Sequence, residues 1–508
     1  MILSNNYNPD VLTCLANLSN DEVFTPPQVV NRMLDMLPAD LFRSKDTKFL
    51  DPFSKSGVFL REIARRLMIG LADKIPDVRE RADHIFTKQI FGIAITELTA
   101  LTSRRSLYCS KYANSEYSIC RKFNDKDGNL RFNPIEHKFV DGKCKYCGAP
   151  ESLFGKKKRV DLESHAYEFI HTNKPEKIFG NMKFDVIIGN PPYQLEDGGN
   201  GKSSIPIYQL FVEQAKKLNP RFLSMIIPSR WFTGGRGLND FRSEMLKDKH
   251  IRVLVDYENF KDVFPGVDLA GGACYFLWER DSEGMCRVFN NTSQTSNESL
   301  RYLDEFDVFV RSNKALSIVR KVKEAHKGQF MDSTVSPSKP FGLRTFYEPK
   351  EKGIPCQFIQ KIGLKYANPS DVTDSYKLLD KWKFLAPRSP IAGQTDFSKP
   401  VGFYYDGNTR IVPPGTCCTE SLLVLFASDN KHEVENFKSY LYTKIVRFLL
   451  LQCVVSQDVI REKYKFVPYL GHYDRIYTDE YLCKLWKISK DEWDFIDSKI
   501  MKSEDMGK

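Results

Sequence analysis

The sequence lacks an apolar run long enough to cross a membrane. The nearest candidate, residues 448–455, has eight residues, whereas a spanning helix needs about 20. It therefore predicts a buried helix or strand, and no membrane is expected as a partner. Residues 1–6 lack the basic and apolar regions of a signal peptide, which predicts a cytoplasmic location. The twelve cysteines are then expected to be reduced, buried or metal-bound rather than paired.

The sequence also lacks a phosphate-binding loop of the Gly-x-x-x-x-Gly-Lys-Ser/Thr type and a convincing set of nuclease residues. Neither nucleotide-driven translocation nor DNA cleavage is therefore supported. The 42% hydrophobic and 28% charged residues are typical of a globular protein. With 508 residues, the chain is long enough for two or three domains, each with a sizeable core.

The tetrapeptide Asn190-Pro191-Pro192-Tyr193 directly follows the apolar run 186–189, which predicts a buried strand. An exocyclic amine on a heteroaromatic ring is a poor nucleophile, because its lone pair is delocalised into the ring. The Asn190 side-chain oxygen and the Pro191 carbonyl can localise that lone pair, while the two prolines hold both acceptors in place. Tyr193 can stack on the ring. The pattern predicts methylation of an amine; the alternative is an ordinary strand-ending turn.

Residues 47–67 predict a strand, a glycine-containing turn and a helix, the unit that holds ligands at the edge of open α/β sheets. The strand is 48–50, and the turn runs from Asp51 through Pro52 to Gly57. Gly57 would let the backbone approach a ligand, and Asp51 could bind a cationic or hydroxylated part of it. The predicted apolar face of the helix consists of Phe59, Leu60, Ile63, Ala64 and Leu67. A common surface turn is the alternative, but the Asn-Pro-Pro-Tyr motif further along favours a ligand site.

Three motifs in this order resemble those of the gamma-class DNA adenine-N6 methyltransferases of restriction-modification systems. They are Phe24-Thr25-Pro26-Pro27, the loop Asp51-Pro52-Phe53 to Gly57, and Asn190-Pro191-Pro192-Tyr193. The resemblance covers about the first 280 residues. It implies S-adenosylmethionine as the methyl donor, an adenine flipped out of double-stranded DNA, and a C-terminal domain that reads the target sequence. A cognate restriction endonuclease is then a candidate partner.

The resemblance also implies roles for single residues. Thr25 and Gly57 would line the methionine part of the donor, while Asp51, beside Pro52 in the donor loop, would bind its amino group. In the Asn-Pro-Pro-Tyr motif, the first two residues would bind the adenine amine and the tyrosine would stack on the adenine.

Two departures from the family pattern concern the donor. The donor loop usually has a small pair such as Cys-Gly where this chain has Ser54-Lys55. The acidic residue expected near the end of the second strand, to hold the ribose hydroxyls, falls on Ala94. Glu97, one turn later, is the candidate substitute. Donor affinity is therefore less well supported by the sequence than the transfer chemistry.

Four cysteines lie in one polar stretch: Cys109, Cys120, Cys144 and Cys147. The Cys-x-x-Cys pair at its end can place two thiolates on one tetrahedral ion, and so polar a loop has little core of its own. We therefore expect a structural zinc ion with these four ligands. Two alternatives stay open, because only one half of the set has tight spacing: His137 could replace a cysteine, or the cysteines could be ordinary buried residues.

The same stretch is strongly basic. Residues 104–159 contain fourteen Lys or Arg against six Asp or Glu, in a chain whose total surplus is ten. The run ends in Lys156-Lys157-Lys158-Arg159. Such a concentration suits contact with DNA phosphates, although a solvated face is the simpler explanation of the final four residues alone.

Further strands are predicted at 223–227, 253–255 and 273–277. Residues 282–300 are rich in Asn, Ser and Thr and are interpreted as a linker or loop. The polar, glycine-rich segment 194–204 is expected to order over the flipped base. Phe264 is one of several aromatic residues that could form the second wall of the base pocket. Pro355-Cys356-Gln357 mimics the nucleophile of carbon-5 cytosine methyltransferases and is rejected, because an amine-methylating loop needs no covalent cysteine.

The expected fold is a doubly wound, Rossmann-like α/β sheet with an inserted zinc-binding loop and a C-terminal α+β recognition domain. The catalytic domain would span 1–285, with the insertion at about 104–160, and the recognition domain would span 300–508. An RNA or protein-glutamine amine methyltransferase is the first alternative, since those families share Asn-Pro-Pro-Tyr. A DNA-binding subunit that does not bind the donor is the second. The long C-terminal region favours DNA.

Overall fold

The computed structural model describes most of the chain in two compact units, residues 1–307 and 308–508. The described residues are 23–155, 165–195, 205–235, 237–265, 267, 271–292, 296–359, 361–391, 393–394, 399–405, 407–454 and 458–503. The basic run Lys156–Arg159 and residues 196–204 of the segment after the Asn-Pro-Pro-Tyr motif lie outside them. Within these ranges, no helix has the length and apolar character that crossing a membrane requires.

The first unit consists of a large sheet with helices and an inserted hairpin. Its helices are α1 (Pro27–Asp35), α2 (Val58–Gly70), α3 (Val78–His84), α4 (Glu97–Tyr108), α5 (Glu151–Phe154), α6 (Tyr208–Lys217) and α7 (Asn239–Lys247). Its strands are β1 (Phe49–Ser54), β2 (Ile90–Ala94), β3 (Leu130–Arg131), β4 (Phe139–Val140), β5 (Lys143–Cys144), β6 (Val186–Gly189), β7 (Gln194–Leu195), β8 (Ile205–Pro206), β9 (Phe222–Pro228), β10 (Ile251–Tyr257), β11 (Ala273–Glu279), β12 (Cys286–Asn291) and β13 (Ser296–Arg301).

Nine of these strands form one mixed sheet in the order β13-β12-β10-β11-β9-β6-β1-β2-β3. β1 pairs in parallel with β2 on one side and with β6 on the other. Strands are therefore added on both sides of β1, so the strand order reverses there. Open α/β sheets bind ligands at such a reversal, beside the carboxyl ends of the strands. β11 runs antiparallel between β9 and β10. The predicted α/β class is confirmed as a large mixed sheet.

The central strands are continuous apolar runs because both of their faces are covered. Every residue of β1 and of β6 is buried. Gly57 has a φ of 73° and precedes α2, whose predicted apolar face is buried. β9, β10 and β11 cover the three strands that the sequence predicts further along the chain.

The segment 282–300 is not the linker that its composition predicts. Instead, β12 pairs in parallel with β10, and β13 pairs with β12 at the edge of the sheet. β12 buries alternate residues, and β13 is largely exposed, as expected of a polar strand at a sheet edge. A search for apolar runs therefore misses both strands, and the first unit extends beyond residue 285.

The second unit combines helices with two small sheets. Its helices are α8 (Asn313–Ala325), α9 (Lys431–Tyr442), α10 (Lys444–Leu451), α11 (Asp479–Leu485) and α12 (Lys490–Lys499). Its strands are β14 (Ile354–Gln357), β15 (Leu364–Ala367), β16 (Trp382–Pro387), β17 (Arg410–Val412), β18 (Cys417–Cys418) and β19 (Leu422–Ser428). The sheets have the orders β15-β14-β18 and β17-β16-β19. Phe437 of α9 packs on Phe384 and Phe426 of the second sheet, with ring centroids 5.4 and 4.9 Å away.

Candidate functional site

Asn190 follows β6 and its side-chain amide is fixed in direction. The amide nitrogen donates to the Val23 carbonyl at 2.9 Å and to Thr25 Oγ1 at 3.1 Å. Because a carbonyl can only accept, the atom facing Val23 must be the nitrogen, and the Asn190 oxygen Oδ1 therefore points away from it. The segment around the Phe-Thr-Pro-Pro motif thus orients the first residue of the Asn-Pro-Pro-Tyr motif.

Two polar atoms of the Asn-Pro-Pro-Tyr motif are buried without a hydrogen bond to any described residue. They are Asn190 Oδ1 and the Tyr193 hydroxyl. Leaving such an atom without a hydrogen bond costs about 1–3 kcal/mol. Two such atoms in one motif are therefore typical of a binding site without its ligand. Burial raises the pKa of Tyr193 well above its usual value, while the neighbouring Asn190 side chain acts in the opposite direction, and the hydroxyl therefore stays protonated. The motif offers one acceptor and one donor.

The predicted donor loop lies against the Asn-Pro-Pro-Tyr loop. β1 and β6 are neighbouring parallel strands. Asn190 directly follows β6, whereas Asp51 lies within β1, which continues to Ser54 instead of ending at residue 50 as the sequence predicts. A Cβ atom on Gly189 would lie 2.6 Å from Asp51 Oδ1 and 2.5 Å from the ring of Phe53. Only a glycine therefore lets the two loops approach this closely. Gly57 is similarly confined, since a Cβ there would lie 3.0 Å from the Ser103 backbone.

Asp51 is a buried carboxyl group with a raised pKa. Burial raises its pKa to about 7, while the Phe53 backbone N–H, the Ser54 side chain and the Lys55 ammonium act in the opposite direction. The Phe53 N–H donates to Asp51 Oδ1 at 3.2 Å. A cationic ligand group beside Asp51 would stabilise the carboxylate and lower this pKa.

Lys55, which stands where the family pattern has a small residue, joins the two loops. Its ammonium donates to the Val23 carbonyl at 3.2 Å, the same carbonyl that orients Asn190. It also lies 5.8 Å from the centre of the Tyr193 ring, within cation–π range. The sequence identifies Lys55 only as a departure from the family pattern; its contact with the Tyr193 ring depends on the fold.

A narrow cleft opens beside Pro52 and the end of β2. Its walls are Pro52, Ile93, Ala94, Ile95, Phe132, Asn133, His165, Ala166, Tyr167, Glu168, Phe169 and Phe211. Glu168 Oε1 accepts hydrogen bonds from Arg131 and Asn133, both at 2.9 Å, whereas its Oε2 is buried without a partner among the described residues. An unpaired carboxylate oxygen at an apolar cleft is suited to a hydroxyl or amine donor.

The structure brings only some of the predicted donor-site residues to the cleft. Pro52 lines the cleft, and Asp51 precedes it within β1. Thr25 contacts Asn190. Glu97 is exposed in the first turn of α4 and is not among the cleft residues, so its predicted ribose contact has no support from this arrangement. Glu168, which the sequence patterns did not identify, faces the cleft because a later segment folds over β2.

Of the two neighbouring phenylalanines, Phe260 contacts the Tyr193 ring and Phe264 does not. The Tyr193 and Phe260 rings meet edge to face, with centroids 6.2 Å apart. Phe264 is buried and packs behind Phe260 at 4.7 Å. The sequence names Phe264 as one of several candidates, and spacing along the chain could not select between them.

The four predicted cysteine ligands do not come together. Cys109 is exposed at the C-terminal end of α4, and Cys120 is buried where it interacts with Asp83. Cys144 and Cys147 instead share a cluster with two histidines. The members of that cluster are His137, Cys144, Cys147 and His171, and their ligand atoms all lie within 4.8 Å of one another. The four-cysteine set is therefore wrong, because the first two cysteines belong to other parts of the unit.

The basic insertion is only partly available to a partner. Arg104 is buried and pairs with Asp127, and Arg131 pairs with Glu168 at 2.9 Å. The exposed basic residues of the described insertion are Arg105, Lys111, Arg121, Lys122, Lys126, Lys138, Lys143 and Lys145. These side chains could contact phosphates, whereas Arg104 and Arg131 hold the insertion to the sheet.

Residues 88–264 match the family model described as Eco57I restriction-modification methylase. This range contains the Asn-Pro-Pro-Tyr motif and the cysteine insertion, and it begins after the donor loop. An uncharacterized adenine-specific methylase of Mycoplasma pneumoniae is 40% identical over an alignment of 300 residues, and the match covers 54% of this chain and 71% of that protein.

Two solved structures are similar to this chain. The methyltransferase subunit of a type I restriction-modification system from Streptococcus thermophilus is 13% identical, with a TM-score of 0.32, over 64% of this chain and 59% of that chain. The DrdV-DNA complex is 13% identical, with a TM-score of 0.44, over 92% of this chain and 57% of that chain. The chain thus spans less than two thirds of each solved chain.

Proposed function

Because the chain belongs to the family of adenine-specific methylases of restriction-modification systems and is a DNA adenine methyltransferase, we propose that it methylates N6 of an adenine flipped out of double-stranded DNA. S-adenosylmethionine is the proposed donor, and it would supply an electrophilic methyl group. The observation that carries the proposal is the buried, unpaired Oδ1 of Asn190, whose direction is fixed by Val23 and Thr25.

The residues of the donor side fit such a group. Asp51 would hold its amino group as a carboxylate, and Gly57 would allow close approach of the backbone. Pro52 and the walls of the cleft beside β2 would contact its adenosine part. The cleft has an accessible volume of about 10 Å³, so its walls would have to move apart when the donor binds. For the hydroxyl groups we propose Glu168 in place of Glu97, since Glu168 Oε2 is unpaired at that cleft.

The residues of the base side would act before and during transfer. Asn190 Oδ1 and the Pro191 carbonyl would accept the two hydrogens of the adenine amine, which concentrates its lone pair on nitrogen. Pro192 would hold this geometry, and Tyr193 would stack on the base against Phe260. The proton that leaves the methylated amine needs no strong base, so none is assigned. Unit 308–508 is the proposed reader of the target sequence, and double-stranded DNA is the proposed partner.

The test is methylation of unmodified double-stranded DNA by the purified chain with S-adenosylmethionine, followed by long-read mapping of modified bases. We expect N6-methyladenine at one recurring sequence. Methylation of RNA or of a glutamine peptide instead would favour the alternative amine methyltransferases. Binding of DNA without binding of the donor, measured by calorimetry, would favour a subunit that does not bind the donor.

A further inference from the structure

Four side chains converge beside the inserted hairpin, away from the catalytic amide. They come from three places along the chain: His137 before β4, Cys144 and Cys147 at the β5 turn, and His171 after the segment that lines the cleft. All but His137 are buried. Two cysteine sulfurs and two imidazole nitrogens are the donor set of a structural zinc site.

One distance agrees closely with shared coordination. Cys147 Sγ lies 3.5 Å from His137 Nδ1, and two ligands at usual zinc distances and a tetrahedral angle are about 3.6 Å apart. A thiol-to-imidazole hydrogen bond would explain this contact alone. It would not explain why Cys144 and His171 direct their ligand atoms to the same point, within 4.8 Å of the others.

The hydrogen bonds of His171 prepare it as a ligand. Its Nδ1 lies 2.7 Å from the Tyr167 carbonyl, so Nδ1 carries the hydrogen and Nε2 carries the lone pair. Nε2 is buried and has no hydrogen bond to a described residue. Metal-binding histidines are usually oriented in this way by a carbonyl or carboxylate on the other ring nitrogen.

The backbone around the cysteines is also shaped for a metal. β4 and β5 form a tight hairpin whose turn residues, Asp141 and Gly142, have φ values of 50° and 76°. The Gly148 N–H donates to the Cys144 carbonyl at 3.0 Å, and Gly148 itself has a φ of 73°. The turn from Cys144 to Gly148 brings the thiols of Cys144 and Cys147 to the same side of the hairpin end.

The position of His171 gives the cluster a consequence for the catalytic domain. Tyr167, Glu168 and Phe169, the residues just before it, line the cleft beside Pro52 and Ala94. The Gln214 side chain of α6 also donates to the Phe169 carbonyl at 3.0 Å. An ion that joins His171 to the hairpin would therefore fix one wall of the cleft.

We propose that His137, Cys144, Cys147 and His171 bind one zinc ion in a closed site that fastens the insertion to the wall of the donor cleft. Four protein ligands leave no position for a reacting water, so the ion is structural. Its effect on the donor rests on the proposed function, because it assumes that the cleft binds the donor.

The first experiment measures metal in the purified full-length chain by elemental analysis. We expect about one zinc ion per chain. His171→Ala and Cys144→Ser should each weaken zinc binding more than tenfold in competition with a chromogenic chelator, since even the loss of an outer-shell partner costs 10–100-fold. Cys109→Ser is the matched control and should retain zinc. Zinc lost in Cys109→Ser but kept in His171→Ala would overturn the proposed ligand set, as would folded wild-type protein without metal.

The second experiment does not require the variants to fold. X-ray absorption at the zinc edge of the wild-type chain should fit two sulfur and two nitrogen neighbours, whereas four sulfur neighbours would contradict the proposal. Chelation of zinc should then weaken S-adenosylmethionine binding, measured by calorimetry, and added zinc should restore it. Unchanged donor binding after complete zinc removal would refute the role in the cleft, while metal content and absorption spectrum test the site independently of any methyl transfer.

Discussion

Thr25 Oγ1 accepts a hydrogen bond from the side-chain nitrogen of Asn190 at 3.1 Å, across 165 residues of sequence. The family resemblance assigns Thr25 to the methionine part of the donor, and that role stays a prediction. The observed contact adds a second role: Thr25 positions the Asn190 amide, whose oxygen is proposed to bind the adenine amine. The two motifs therefore support each other physically and not only by their order in the chain.

Asn190→Ala should reduce methyl transfer by about a hundredfold or more, because it removes a preorganised acceptor for the reacting amine. Single-turnover rates on unmethylated DNA measure the loss. Donor affinity, measured by calorimetry, should change little, and circular dichroism should show an intact fold. A variant that turns over like the wild type would contradict the catalytic assignment.

Thr25→Val should have a smaller effect that shows how Asn190 is oriented. The substitution removes one of two hydrogen bonds to the amide nitrogen, worth about 0.5–1.5 kcal/mol, and so should lower the rate by about tenfold or less. Thr25→Ser keeps the hydroxyl and should restore most of the rate. A loss in Thr25→Ser as large as that in Thr25→Val would contradict the role of the hydrogen bond, because Thr25→Ser keeps the hydroxyl.

Donor binding should strengthen as pH rises through about 7. Burial raises the pKa of Asp51 to about 7, and only the carboxylate can pair with a donor ammonium group, so affinity should rise by up to about tenfold per pH unit below 7. For the unliganded fold the sign is opposite: the raised pKa contributes stability that is fully present below the unfolded pKa of about 4 and is lost as pH rises through about 7. Calorimetry from pH 5.5 to about 8.5 measures the binding trend, which Asp51→Asn should abolish.

Tyr193→Ala should weaken capture of the base by about 1–3 kcal/mol, as in other sites where an aromatic ring stacks on a base. Tyr193→Phe should be milder, because it keeps the ring and removes a hydroxyl that is buried without a partner among the described residues. Its free energy of unfolding should be unchanged or higher in the absence of DNA. Binding to DNA that contains an abasic site opposite the target separates stacking from other contacts; equal affinity of both variants would contradict the stacking role.

Removal of residues 308–508 should abolish target selection. The break follows the boundary between the two compact units, so residues 1–307 should retain their sheet and their donor affinity. Sequencing of modified DNA should then show no preferred site. Full retention of the target preference by residues 1–307 would refute the assignment of sequence reading to the second unit.

The sequence determined the features that depend on neighbours along the chain. The apolar runs before Asp51 and Asn190 predict strands, and the glycine at position 57 predicts the start of a helix, so these elements could be predicted. The end of β1 could not, because the strand continues through Asp51 and Pro52 to Ser54. That the two loops meet is seen only in the fold, where β1 and β6 are neighbouring parallel strands. Composition could not distinguish the polar strands β12 and β13 from a linker, because strands at a sheet edge bury little apolar surface.

Only the tertiary structure decided which distant side chains meet. Cysteine spacing identified Cys144 and Cys147 but not His171, which lies 24 residues further on and joins them because the chain returns over the insertion. The same return brings Glu168 to the cleft, and the fold brings Val23 and Thr25 to Asn190. These contacts depend on how the loops close in three dimensions. The residue types around one side chain do not specify which distant side chain it will contact.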